Sequence, residues 1–240
     1  MTKAVLLPGN MCDARLWRGG ERAVVRTLEA AGLPVVDADL TQDDTIVAMA
    51  HRALAASQGT LLPVGFSMGA IVAVEMTRQA PERVRGLVLA GYNATADLPE
   101  RTAVRPRQQA DVRGGGLERV LVEELKPNYL ARANRENAAL LALLRDMGLA
   151  LGPDVFVRQS EALRRRGSQV EILPAITAPA LLLGGEEDAL CPPEWHRRWA
   201  GLLPRASLVT ADGVGHMFPL EQPASFAAHI GAWLSQTELT

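Results

Sequence analysis

Short apolar runs alternate with longer amphipathic segments through most of the chain. Six runs rich in Leu, Val and Ala have the length of strands: 4–7, 34–38, 61–64, 84–90, 180–183 and 207–210. Five segments with helical spacing of apolar residues lie among them: 17–31, 46–56, 68–79, 193–201 and 223–234. This alternation is typical of a parallel sheet covered by helices on both faces. The pattern predicts an α/β fold with a mostly parallel sheet of about six strands.

The alternation stops between residues 93 and 173, where no strand-like run occurs and arginine is frequent. Such a stretch is too long for a loop, so it must contain helices. We expect three: one whose apolar face holds Leu117, Leu121 and Leu125 before Pro127, one over 135–147 capped by Asn134, and one from Pro153 to just before Gly167. The predicted organisation is an α/β core of residues 1–92 and 174–240 with a helical insertion over 93–173.

The composition narrows the class of protein. A chain of 240 residues with 48% hydrophobic residues fits a single α/β domain, and a net charge of −2 argues against a nucleic-acid partner. The sequence contains no apolar span of membrane length and no signal peptide, so we expect a soluble cytoplasmic protein. Cys12 and Cys191 lack metal-ligand spacing and are expected to be buried thiols. Nothing in the sequence sets an oligomeric state.

A glycine-flanked serine follows the third predicted strand. The stretch reads Gly65-Phe66-Ser67-Met68-Gly69, and a small-residue apolar segment with helical spacing comes directly after it. A serine on a sharp turn between a strand and a helix projects its hydroxyl above the end of the sheet, while the two glycines avoid collisions with neighbouring elements. Ser67 is therefore a candidate nucleophile, which requires a histidine base and a carboxylate.

The other two groups are sought at the same edge of the sheet. His51, His196 and His229 lie in predicted helices and are expected to be packed or partly exposed, whereas His216 lies in a glycine-rich loop after the last strand. The fifth strand is followed by three acids, Glu186, Glu187 and Asp188, and spacing does not choose among them. Catalytic groups in open α/β sheets gather at the carboxyl ends of the strands. His216 and one of these acids could therefore meet Ser67.

These features together resemble the α/β-hydrolase fold serine hydrolases, of the compact esterase and lactonase type with a helical lid. The resemblance extends over essentially the whole chain, and its motifs are Leu7-Pro8-Gly9-Asn10 with Asp13 and Trp17, the serine turn, Gly185-Glu186-Glu187-Asp188, and Gly215-His216. It implies that Ser67, His216 and Asp188 form the triad. It also implies that the backbone N–H groups of Asn10 and Met68 form the oxyanion hole, and that neither metal nor cofactor is required.

Two departures from the family pattern affect the expected structure. Many members have His-Gly in the oxyanion loop, where this chain has Pro8-Gly9. The chain also begins at what would be the family's third strand, so the antiparallel hairpin that often opens the sheet is missing. We therefore expect a minimal, all-parallel sheet of six strands.

The resemblance implies a small ester or lactone as substrate and leaves its identity open. For the substrate pocket we expect Phe66 beside the serine, Met217 beside the histidine, and Leu121 and Met147 from the insertion. An arginine facing the pocket would select a carboxylate-bearing substrate. Arg101, Arg105, Arg107 and Arg113 precede the first predicted helix of the insertion, and Arg164, Arg165 and Arg166 are expected at a solvated helix end.

Two alternatives remain open at this level. The same triad serves C–C bond hydrolases, hydroxynitrile lyases and cofactor-free perhydrolases, so the motifs do not separate these chemistries. A small-ligand receptor that retains a hydrolase pocket is a different class, and labelling of Ser67 by a fluorophosphonate would separate it from an enzyme. Dehalogenation is excluded because that branch has Asp at the position of Ser67.

Overall fold

The computed structural model describes residues 1–125 and 129–239, and the predicted helix stop at Pro127 lies outside them. The described residues form one six-stranded sheet, with the order β2-β1-β3-β4-β5-β6 and every pairing parallel. The strands are β1 (Lys3–Leu7), β2 (Val35–Asp37), β3 (Leu61–Phe66), β4 (Leu87–Ala90), β5 (Ala180–Gly185) and β6 (Ala206–Ala211). The predicted all-parallel sheet is confirmed, although β4 is shorter than expected because Val84 forms only an isolated bridge with Leu61.

The helices follow the predicted order with two additions, one over Pro99–Arg113 and a short one over Phe218–Glu221. They are α1 (Gly19–Ala30), α2 (Ile46–Ala56), α3 (Met68–Gln79), α4 (Pro99–Arg113), α5 (Leu117–Arg119), α6 (Ala138–Leu151), α7 (Pro153–Arg164), α8 (Pro193–Ala200), α9 (Phe218–Glu221) and α10 (Pro223–Gln236). Helix α1 begins later than predicted because Trp17 belongs to a separate 3-10 turn, whose N-cap Asp13 accepts a hydrogen bond from Arg15 N. No helix in the described ranges is long and apolar enough to cross a membrane.

Two hydrophobic cores cover the two faces of the sheet. Alternate residues of β1 point to opposite faces, so Val5 and Leu7 join one core and Ala4 and Leu6 join the other. The first core contains residues of α2, α3 and α8, and the second contains residues of α1 and α10. Burial on both faces explains why the four central strands, β1, β3, β4 and β5, are continuous apolar runs rather than alternating ones.

The segment between β4 and β5 is helical, as predicted, but its helices differ from the expected ones in two ways. Helix α4 was not predicted, and the arginines at 101, 105, 107 and 113 therefore lie within a helix rather than before one. Pro106 in its interior and its few apolar residues hide the helical pattern. Helix α5 continues as a π-helix over Val120–Leu125, which includes two of the three predicted leucines.

The second predicted helix of this segment is displaced along the chain. It begins at Ala138 rather than at residue 135, and its N-cap is Asn137, whose side chain accepts a hydrogen bond from Leu140 N. Asn134 instead ends a 3-10 turn and accepts a hydrogen bond from Asn137 N through its carbonyl oxygen. Both asparagines suit an N-cap, so local sequence did not separate them. Helix α7 starts at Pro153, as predicted.

A substitution at Gly69 would test the close contact between α3 and the loop after β1. A Cβ atom at position 69 would overlap the carbonyl oxygen of Leu7, which is backbone and has little freedom to move. We expect Gly69→Ala to lower the free energy of unfolding by about 3 kcal/mol, the upper range for overpacking. Urea titration would measure this loss. The control is Gly167→Ala, where an added Cβ meets nothing within 4 Å, and an equal loss in both variants would contradict the explanation.

The burial of His196 should make the stability of the protein depend on pH. This histidine is fully buried in α8 against Gly184, and burial lowers its pKa to about 4, with nearby Asp188 raising it and His216 lowering it further. On acidification, His196 therefore takes up a proton near pH 6.5 in the unfolded chain but only near pH 4 in the folded chain. Acidification from pH 7 to 4.5 should lower the free energy of unfolding by about 2 kcal/mol through this group. His196→Phe should show a correspondingly shallower loss in urea titrations, whereas equal losses would refute the prediction.

Candidate active site

Ser67 lies on a strained turn between β3 and α3. Its backbone has φ 53° and ψ −114°, in the left-handed range that residues with a side chain rarely adopt. The Ser67 N–H donates to Ala90 O at the end of β4, at 2.8 Å, which ties the turn to the next strand. A strained residue that is held in place by its surroundings is typical of a functional position.

The two glycines that flank Ser67 allow backbone segments to meet. A Cβ atom at Gly65 would lie 2.5 Å from Gly69 O, and one at Gly69 would collide with the loop that follows β1. The start of α3 therefore packs directly against this loop. Among the described residues, the backbone N–H groups of Asn10 and Met68 have no acceptor. Two adjacent elements thus present free donors beside the serine turn.

Asp188 and His216 form a buried hydrogen-bonded pair. His216 Nδ1 lies 2.8 Å from Asp188 Oδ2, while Asp188 Oδ1 accepts from the backbone N–H groups of Leu190 and Cys191. Burial alone would raise the pKa of Asp188, but the charge and hydrogen bond of His216 and the Cys191 N–H outweigh it and hold the pKa below its usual range. An ionised Asp188 accepts the Nδ1 proton, which leaves Nε2 of His216 as an acceptor.

The structure distinguishes the three acids that spacing left equivalent. Glu186 is exposed, and Glu187 accepts a hydrogen bond from Arg132 N at 2.8 Å, so neither contacts His216. A Cβ atom at Gly185 would collide with the carbonyl oxygens of Val214 and Gly215, so β5 and the histidine loop pack backbone against backbone. This close approach brings Asp188 to His216.

The loop that carries His216 is fixed by residues that sequence reasoning missed. His216 N donates to Tyr129 O at 2.8 Å, and the Tyr129 ring lies 6.1 Å from the imidazole. Glu221 accepts from Gly215 N at 3.0 Å and from Ala131 N at 2.8 Å, so one carboxylate joins the histidine loop to the segment after residue 128. No local motif marks Glu221, because its partners are far away in sequence or belong to the backbone.

A cavity of about 280 Å³ joins these groups. Ser67 and His216 both line it, together with Asn10. The predicted pocket residues Phe66 and Met217 also line it, and the Phe66 ring lies 5.0 Å from the His216 ring. The predictions for Leu121 and Met147 are wrong, since neither side chain lines this cavity. Leu121 packs in a cluster formed by the inserted helices, and Met147 is buried in the core that contains α1 and α10.

The arginines divide between the cavity and other sites. Arg101 and Arg105 line the cavity, whereas Arg107 and Arg113 are exposed on other parts of α4. The expectation of a solvated helix end applies to Arg164 and Arg165, which pair with Glu161. It is wrong for Arg166, which is buried against Asp97 at 3.0 Å because the chain turns inward after α7.

Both cysteines are buried thiols, as predicted. Asp188, Cys191 and His216 offer ligand atoms within 4.8 Å of one another, a grouping that a metal could use. However, the Cys191 thiol donates to Gly91 O at 3.1 Å, and burial together with the charge of Asp188 raises its pKa well above the usual value. A metal requires the thiolate. The group therefore favours a hydrogen-bonded Asp–His pair over a metal site.

Comparisons with known proteins identify the family and support the fold. A family model described as the alpha/beta hydrolase family matches residues 4–229. A Mycobacterium tuberculosis protein provisionally named non-heme bromoperoxidase BpoC is 30% identical over 176 residues, which cover 67% of this chain. The match spans 62% of that relative's length.

Solved structures extend the similarity to 98% of the chain. A thermophilic esterase from Thermogutta terrifontis, solved with malate bound, is 26% identical with a TM-score of 0.88, over 98% of this chain and 90% of that one. The enol-lactonase from Burkholderia xenovorans LB400 has a TM-score of 0.81 over 98% of this chain and 91% of its own, and at 19% identity it shows the fold alone. The expected fold is confirmed, and because the family model spans the sheet from β1 into α10, this chain belongs to the alpha/beta hydrolase family.

Proposed function

We propose that the protein is a serine hydrolase that cleaves a small carboxylic ester or lactone through an acyl-enzyme. The observation that carries the proposal is the buried hydrogen bond that Asp188 accepts from His216, which lines one cavity together with Ser67. The strained backbone of Ser67 and the free N–H groups of Asn10 and Met68 support the same chemistry. The description of the similar Thermogutta protein as an esterase agrees with it.

In the first half of the reaction, Ser67 Oγ attacks the carbonyl carbon while its proton passes to Nε2 of His216. The ionised Asp188 stabilises the resulting imidazolium and keeps the ring in the useful tautomer. The carbonyl oxygen becomes an anion and accepts hydrogen bonds from Asn10 N and Met68 N, and one such donor contributes about 3 kcal/mol to lowering the barrier. The C–O bond then breaks, and His216 gives its proton to the leaving alkoxide.

The second half releases the acid. A water molecule transfers a proton to His216 Nε2 as its oxygen attacks the acyl carbon, which again passes through an oxyanion held by the two N–H groups. Collapse breaks the bond to Ser67 Oγ, and the proton returns from His216 to the serine. The products are a carboxylic acid and the free enzyme. A lactone follows the same steps, but its alkoxide remains attached to the acyl part until the second half.

Residues 93–173 serve, in this proposal, as a lid that forms the cavity wall opposite Ser67. Helix α4 contributes Arg101, Val104, Arg105 and Gln108 to the cavity, and α7 contributes Phe156 and Leu163. These side chains are partly polar, so the lid does more than close an apolar cleft. The substrate is therefore selected mainly by the inserted helices, while the core provides the reacting groups.

A second candidate activity is perhydrolysis, which the name of the mycobacterial relative favours. Hydrogen peroxide would replace water in attacking the acyl-enzyme, which releases Ser67 and forms a peroxy acid. The peroxy acid then oxidises bromide to hypobromous acid and is itself reduced to the carboxylic acid. This route uses the same serine, histidine and aspartate and requires no redox cofactor on the protein.

Replacement of the triad tests the main proposal. We expect Ser67→Ala to lower kcat for p-nitrophenyl ester hydrolysis by about 10⁴-fold or more, and Asp188→Asn by about 10³- to 10⁴-fold through loss of the correct tautomer. Steady-state kinetics would measure both effects. Fluorophosphonate labelling of the wild type, lost in Ser67→Ala, would identify the nucleophile directly.

The matched control for Asp188→Asn is Glu186→Gln, which removes an exposed carboxylate from the same loop. We expect its kcat to stay within about twofold of the wild type, since exposed charges interact weakly. An equal loss of activity in the two variants would refute the assignment of Asp188. Unchanged ester turnover in Ser67→Ala would refute the proposed mechanism as a whole.

Perhydrolysis has a separate test. With an acetate ester and excess hydrogen peroxide, the wild type should form peracetic acid, measured by its oxidation of bromide. Ser67→Ala should form it only at the spontaneous rate. Peracid formation that is the same in the two proteins would exclude this second activity and leave the hydrolase proposal intact.

A further inference from the structure

One face of α4 carries a row of side chains into the cavity beside Ser67. The row is Arg101, Val104, Arg105 and Gln108, and their spacing of three and four residues places them on the same side of a helix. Two of the four are arginines. This part of the cavity wall therefore carries two guanidinium groups beside one apolar and one amide side chain.

The carboxylate near these arginines is already engaged. Asp97 is buried and accepts two hydrogen bonds from Arg105, at 2.6 and 3.1 Å, and a third contact from Arg166 at 3.0 Å. One negative charge thus compensates two guanidinium groups. Burial lowers the pKa of Arg166, Asp97 opposes this, and the positive charges of Arg105 and Arg101 lower the pKa further. The three arginines therefore lie close enough together to repel one another.

Arg101 is the member of this group that lacks a partner. It is half-buried, and no described residue accepts a hydrogen bond from it or forms an ion pair with it. Glu124 also lines the cavity, but it accepts hydrogen bonds from Arg107, Arg119 and Gln108, and burial that would raise its pKa is outweighed by these partners, which lower it to about 2. Asp188 is engaged by His216.

The charges that face the cavity therefore leave a positive excess on Arg101. A half-buried guanidinium without an acceptor is costly unless water or a ligand provides one. Guanidinium groups bind carboxylates through two parallel hydrogen bonds, which fixes the orientation of the bound molecule as well as adding affinity.

We propose that Arg101 binds a free carboxylate of the substrate, so that the preferred substrate is an ester or lactone that also carries a carboxylate group. This inference rests on the proposed hydrolase function for its chemistry, while the binding it predicts does not require turnover. Arg105 supports the site electrostatically, because Asp97 already occupies its hydrogen-bonding edge. Arg101 is thus a specificity-determining residue, whereas Ser67 and His216 act on the ester group.

The kinetic test compares two esters with acyl chains of equal length. One is the p-nitrophenyl monoester of glutaric acid, which carries a free carboxylate, and the other is p-nitrophenyl pentanoate, which ends in a methyl group. The wild type should have the higher kcat/KM for the glutarate ester after subtraction of spontaneous hydrolysis. Arg101→Gln should reduce the ratio of the two kcat/KM values by about ten- to a hundred-fold, mainly through KM, as expected for lost hydrogen bonds to a charged group.

The control is Arg113→Gln, which removes the same charge from the exposed end of the same helix. Its ratio should match the wild type, and Arg101→Lys, which keeps the charge but not the planar fork, should fall between. Circular dichroism and thermal melts would verify that each variant is folded. An unchanged ratio in Arg101→Gln, or equal loss in both glutamine variants, would overturn the inference while the hydrolase function stands.

Binding of glutarate itself separates this inference from the proposed function. In calorimetry, the wild type should bind glutarate with a Kd about ten- to a hundred-fold lower than Arg101→Gln, and Arg113→Gln should match the wild type. Glutarate binding that depends on Arg101 in a protein that hydrolyses no ester would support the inference and reject the hydrolase. Equal binding to the wild type and Arg101→Gln, or none to either, would reject the carboxylate site.

Discussion

Close contact between backbone segments at the carboxyl edge of the sheet is the constraint on which the rest of the site depends. Gly69 lets the start of α3 pack on the loop after β1, and Gly185 lets β5 pack on the loop that carries His216. A side chain at either position would separate these segments. Because both contacts involve backbone atoms, they set the spacing between the serine turn, the loop after β1 and the loop that carries His216, and the Glu221 carboxylate adds hydrogen bonds to the histidine loop.

Two buried carboxylates, Asp188 and Asp97, determine how the charged groups of the site are paired. Asp188 remains ionised in a buried position because a histidine and two backbone N–H groups surround it, and the buried Asp97 pairs with two guanidinium groups. Burying an unpaired charge is unfavourable, so each carboxylate fixes the position of its partners. Among the described residues that line the cavity, this leaves one cation, Arg101, without a hydrogen-bond or ion-pair partner. The pairing of charges thus accounts both for the catalytic Asp188–His216 pair of the proposed mechanism and for the unpaired Arg101 that we propose binds the substrate.

The sequence predicted the core better than the insertion, for physical reasons. Strands buried on both faces are continuous apolar runs, and α3 matched its predicted bounds because its apolar residues are dense. Helix α4 was missed because it contains Pro106, which disfavours a helix interior, and because its buried face includes Gln108 and Gln109, which make hydrogen bonds to neighbouring side chains instead of apolar contacts. A helix held by polar contacts shows little hydrophobic periodicity.

By itself, the sequence determined the alternation of strands and helices, the glycine-flanked turn at Ser67 and the order of the three candidate groups along the chain, because each depends on local spacing and residue type. Local spacing left Asp188 equivalent to its two acidic neighbours, and the family resemblance implied that Asp188 is the acid. Only the tertiary structure showed its contact with His216, removed Leu121 from the predicted pocket and left Arg101 unpaired within the described chain. These outcomes depend on contacts between residues far apart in sequence, and local sequence patterns do not determine such contacts.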